Sequence, residues 1–87
     1  MPATVIILQD TEAFLPQHKF SNEVYFNKVH FKKAIFVFCN FDNTVSFEQA
    51  TFNDDVNFNA SIFNGLAQFI SSKFSGKINI SQVYLLI

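Results

Sequence analysis

Phenylalanine recurs along the chain like rungs: Phe20, Phe26, Phe31, Phe36, Phe41, Phe47, Phe52, Phe58, Phe63, Phe69 and Phe74, with Ile80 in the next place. The steps are five or six residues, and from Phe41 onward they alternate, so the repeat is 11 residues. A fixed internal period decides architecture before any local propensity is weighed. Of 13 Phe, only Phe38 falls off the ladder once Phe14 is counted as an earlier rung.

A second register runs two residues ahead of the rungs: Val24, Val29, Ala34, Cys39, Val45, Ala50, Val56, Ser61, Ala67, Ser72 and Ile78. All are small or β-branched. Polar pairs follow the rungs, as in Lys32-Lys33, Glu48-Gln49 and Asn53-Asp54, and an extra residue (Thr44, Asp55, Leu66, Lys77) follows every second unit. On a helix, at about 100° per residue, such steps would spread Phe over opposite faces. In an extended segment, residues two apart share a face. The small residue and its Phe then point inward, the residue between them points out, and the polar pair turns a corner. The spacing predicts an all-β, parallel β-solenoid.

The stretches Val45-Ser46-Phe47-Glu48-Gln49, Ala50-Thr51-Phe52-Asn53-Asp54 and Val56-Asn57-Phe58-Asn59-Ala60 resemble the pentapeptide-repeat family, whose unit is small–polar–Leu/Phe–x–x. The resemblance spans roughly residues 18 to 85. It implies a right-handed quadrilateral β-helix with four units per coil. Two departures stand out: Val often fills the small place, and the extra residues lengthen the coil to about 22 residues, giving three to four coils.

Four units per coil predict which side chains stack. The columns are Phe20, Phe41, Phe63 and Leu85; Phe26, Phe47 and Phe69; Phe31, Phe52 and Phe74; and Phe14, Phe36, Phe58 and Ile80. The extra residues then fall on two opposite corners. All rungs from Phe20 to Ile80 are expected in the core. Residues 1–17 are expected to form an N-terminal cap segment, with Thr4 to Gln9 as a strand or short cap, and 18–87 to form the solenoid.

The remaining composition is mostly exclusionary. The formal net charge of −1 fits neither a basic nucleic-acid binder nor a strongly acidic chain. Cys39 is the only cysteine, so no internal disulfide is available. No basic leader precedes the apolar run Val5 to Leu8, and no stretch reaches the roughly 20 apolar residues of a membrane helix. A cytoplasmic setting without membrane insertion is expected. Cys39 occupies an inward place and reads as a buried thiol. His18 and His30 stand apart, so no metal set, cofactor or catalytic constellation is expected. Gly65 and Gly76 are isolated corner residues rather than a phosphate loop.

The function must then lie on faces and ends. Val83 to Ile87 is apolar with no polar cap after it, and a bare coil end invites pairing. Outward Phe38 and Ile35, with Ile62 and Leu66 on the next coil, offer an apolar patch. The candidate interface is therefore Ile35, Phe38, Ile62, Leu66, Tyr84, Leu86 and Ile87. The expected function is a non-enzymatic scaffold or protein-interaction module that self-associates through its coil ends into a homo-oligomer. The family resemblance implies an alternative, a DNA-mimicking protein that binds a topoisomerase (gyrase), with Asp42, Glu48, Asp54 and Asp55 as its charges. Stacking pairs Asp54 with Lys33 and Asp55 with Lys77, which blunts such an acidic stripe.

Overall fold

Each side of the coil is only about three residues long, so its strands are mostly two-residue pieces that gain stability by stacking on the coils above and below. The computed structural model describes residues 4–5, 11–14 and 17–85. Every strand pair in it is parallel. One sheet stacks β1 (Thr4–Val5), β4 (Val24–Tyr25), β7 (Val45–Ser46) and β11 (Ala67–Gln68) in that order. A second stacks β3 (Lys19–Phe20), β6 (Asn40–Phe41), β10 (Ile62–Phe63) and β14 (Tyr84–Leu85).

The third sheet covers two sides at once. Its central strand β5 (His30–Ile35) pairs through its first residues with β8 (Thr51–Phe52) and through its last with β9 (Val56–Asn57). β12 (Lys73–Phe74) and β13 (Ile78–Asn79) extend these two branches. The strand stays unbroken because the Lys32-Lys33 corner lacks the extra residue that bends later coils at Asp54 and Gly76.

The Phe columns stack as the period predicts. Phe20–Phe41, Phe41–Phe63, Phe26–Phe47, Phe47–Phe69, Phe31–Phe52, Phe52–Phe74 and Phe36–Phe58 all lie with centroids 4.6–5.4 Å apart and planes within 11°. Carbon surfaces touch at about 3.5–4.0 Å, so parallel rings at these separations must be offset, the arrangement that the ring quadrupole favours. Between columns the rings meet tilted or edge-on, as in Phe36–Phe47 at 5.9 Å and 77°. The β-rise thus sets the ring spacing, and the four columns interlock across the axis. Phe63 pairs in register with Leu85, as expected.

Apart from Lys32-Lys33, which stays within β5, the corners come in two kinds. In the two-residue kind, the amide after the corner donates back to the rung carbonyl, as Ala50 to Phe47 at 3.0 Å and Ser61 to Phe58 at 3.1 Å. The second corner residue is left-handed: Gln17, Lys28, Phe38, Gln49, Ala60, Ser71 and Gln82 have φ of 55–63°. None is glycine, so each bears a steric penalty of about 1–2 kcal/mol that stacking must offset. Their amides supply part of that offset: Phe38 N–H donates to Asn59 O at 2.9 Å and Gln49 N–H to Ile70 O at 2.8 Å.

The three-residue corners stack on each other, as expected. Gly65 sits so tightly over Asn43-Thr44 that a Cβ there would lie 2.5 Å from the Asn43 carbonyl carbon. Side chains within these corners hold the backbone: Asn43 Oδ1 accepts Thr44 N–H and Asp54 Oδ1 accepts Asp55 N–H, both at 2.8 Å.

Three expectations need correction. Phe14 does not stand opposite Phe36; a register shift between Thr11 and Glu12 in β2 (Thr11–Phe14) sets its backbone opposite Ile35. Phe69 and Ile80 belong to the columns but not to the buried core, being 37% and 62% exposed, because no described residue covers the last coil, and Phe20 and Phe74 are half-buried against that core. Asp54 and Asp55 turn to corner amides: Asp55 Oδ1 accepts the Lys77 backbone N–H at 2.8 Å, and the ion pair among the described residues is Lys19–Asp42 at 3.6 Å. In the segment expected to cap the coil, β1 and β2 already pair in parallel with β4 and β5.

Candidate interaction surfaces

The burial gradient along the ladder locates the most exposed part of the core. Phe26, Phe31, Phe36, Phe41, Phe47 and Phe52 are wholly buried, and Phe58 and Phe63 nearly so. Beyond them the columns run out into solvent. Phe58, Phe69, Phe74, Ile78 and Ile80 line an apolar groove of about 220 Å³ at the C-terminal end of the coil. Ile78 is 47% exposed. The same end presents β11, β12, β13 and β14, each the last strand of its sheet or branch. An apolar floor ringed by sheet edges is a surface suited to pairing.

Phe69, Ile70 and Ile78 were absent from the candidate interface read from the sequence. The available signal was position alone: a rung in the last coil has a neighbour on one side only. Of the residues that were proposed, Ile62 and Tyr84 lie side by side in register on the outer face of one sheet. Phe38 and Leu66, each 59% exposed, occupy the corners flanking that sheet. Ile35 lies around the corner, half-buried and opposite Asn57. Leu86 and Ile87 fall outside the described residues.

The buried polar groups serve the coil. Ser61, in the small inward place, donates to the Phe36 carbonyl one coil away, and its hydroxyl accepts the Cys39 N–H at 3.1 Å. Ser72 repeats the device on Phe47 O at 2.6 Å. Burial pushes the Cys39 thiol above its ordinary value, which disfavours the reactive thiolate. Among the described residues no group of three His, Cys, Asp or Glu is placed to hold a metal ion. His18 packs on the Phe20 ring at 4.4 Å, while His30 faces outward beside Thr51.

The carboxylates do not gather. Asp42, Glu48 and Asp54 follow successive rungs and so stand at successive corners of the coil. Asp42 is taken by Lys19 and by the Asn64 amide, which donates to it at 3.2 Å.

Comparison with known proteins agrees with the geometry. A family model for pentapeptide repeats, nine copies, matches residues 26–73, more than half of the chain. No curated protein matches the chain, and neither does any solved structure. With the four Phe columns, the parallel pairing and the matched repeats together, the chain belongs to the pentapeptide-repeat family.

Proposed function

We propose that this protein is a non-enzymatic scaffold that associates with itself through its C-terminal coil end. The supporting observation is the groove formed by Phe58, Phe69, Phe74, Ile78 and Ile80, framed by sheet edges. Covering these side chains removes apolar area from water, at roughly 25 cal/mol per Å². Burial of the ladder holds the shape, and the end supplies the contact. The dispersed carboxylates give no reason to prefer the alternative, a topoisomerase-binding DNA mimic.

Static light scattering on the wild type and on two single variants tests the reading. Ile80→Asp places a charge in the end groove and is expected to abolish association. Phe38→Asp alters the outer patch and is expected to leave it intact. The reverse pattern would move the contact to the outer face, and a monomeric wild type at all concentrations would end the proposal. A supercoiling assay with gyrase covers the alternative: a change in supercoiling rate would favour it, and no change is expected.

A further inference from the structure

The two ends of the coil differ in charge and match in strand arrangement. From Val56 to the last residue there is no Asp or Glu, while Lys73 and Lys77 give the final coil a side-chain charge of +2. Over residues 11–27, Glu12 and Glu23 stand against Lys19, a side-chain charge of −1. Glu12 is exposed on β2, and Glu23 is half-buried, accepting the Tyr25 hydroxyl at 2.8 Å. The outermost segments thus differ in sign, with Lys28, Lys32 and Lys33 following the first, Asp42, Glu48, Asp54 and Asp55 preceding the last, and Glu12 opposite Lys33 in register.

The strand edges show the same polarity. Each of the three sheets has a strand at the N-terminal end (β1, β2 or β3) and a strand at the C-terminal end (β11, β13 or β14). All run in the same sense within their sheet.

We propose that association runs head to tail, with the C-terminal end of one copy receiving the N-terminal end of the next, so that each sheet continues in parallel across the joint. The inference rests on the self-association reading and specifies its partner surface. A copy shifted along the axis sets β1 beside β11, β3 beside β14 and β2 beside β13, with the strand sense preserved. It also brings the Lys73 and Lys77 end against the Glu12 and Glu23 end. A two-fold joint between C-terminal ends does the opposite: it reverses the strands of one copy and faces Lys73 and Lys77 with their own duplicates, which costs rather than gains electrostatic energy. A head-to-tail contact is heterologous, leaves a free end on every assembly and grows into an open series instead of stopping at a dimer.

Complementary single-end variants decide the matter. Ile80→Asp removes the C-terminal end only, and Glu12→Lys with Glu23→Lys removes the N-terminal end only. All three positions lie outside the buried core, and matching far-ultraviolet spectra and cooperative melts confirm that each variant folds. In sedimentation velocity, wild type is expected to give a ladder of species beyond the dimer. Each variant alone is expected to lose association, and an equimolar mixture to recover a dimer of one of each. A charge-reversed variant that still dimerises alone, together with a mixture that forms no new species, would establish the two-fold joint and overturn the proposal. A monomeric wild type would instead remove the self-association reading beneath it.

Discussion

Phe47 and Phe69 stack with centroids 5.0 Å apart and planes 4° apart, yet Phe47 is wholly buried and Phe69 is 37% exposed. The two rings occupy the same column with the same geometry. What separates them is the coil that lies on Phe47 and the lack of any described one on Phe69.

The pair predicts unequal costs for equal truncations. Phe47→Ala deletes a ring enclosed on every side and should cost about 3–5 kcal/mol. Phe69→Ala opens no closed cavity and should cost less than about 2 kcal/mol, in line with partial area loss. Chemical denaturation of dilute, unassociated protein measures both. Equal losses would mean that the end groove is covered.

The sequence carried the interior of this fold well and its periphery poorly, for a physical reason. Columns such as Phe31, Phe52 and Phe74 follow from the period because stacking strands a fixed distance apart forces like onto like. Phe14 escaped because β2 pairs with β5 across 20 residues at Thr11 and 21 at Phe14, one short of the 22 that would set it opposite Phe36, and no ladder step before Phe20 marks the shorter first coil. The cross-coil ion pairs of Asp54 and Asp55 also failed. A three-residue corner leaves backbone N–H groups needing acceptors, and the nearest carboxylates satisfy those before reaching a lysine. Exposure of Ile80 is invisible to a periodic pattern, which has no term for the last coil.

The left-handed corners give a second test. Gln49 has φ 58°. A β-branched residue is poorly tolerated there, so Gln49→Ile should destabilise by roughly 1–2 kcal/mol, while Gln49→Gly should be close to neutral, relief of strain offsetting the added freedom of the unfolded chain. Thermal melts that rank Ile above Gly would contradict the corner geometry.

Ser61 offers a third. Its hydroxyl joins the Phe36 carbonyl to the Cys39 amide in a fully buried place. Ser61→Ala removes that bridge and should cost about 1–3 kcal/mol, the desolvation penalty of buried groups left unpaired. Urea titration reads the loss, and an unchanged midpoint would show that the coils do not need the bridge.

Cys39 couples the core to pH. Its thiol is raised by burial, so the folded state holds its proton to higher pH than the unfolded chain does. The unfolded state then releases the proton first, and stability is retained below about pH 8.5 and falls as pH rises above it. Cys39→Ala should flatten that decline when ΔG of unfolding is followed from pH 7 to pH 10. A slope as steep as that of the wild type would assign the decline to other groups.

The proposed function rests on the C-terminal end of the ladder, which no described residue covers, as the contact surface. Sedimentation equilibrium of the wild type and Ile80→Asp over a wide concentration range tests it most directly. Wild type is expected to show a weight-average mass that climbs above the 10.0 kDa of one chain, and the variant to stay at 10.0 kDa throughout. Superimposable curves for the two proteins would contradict it.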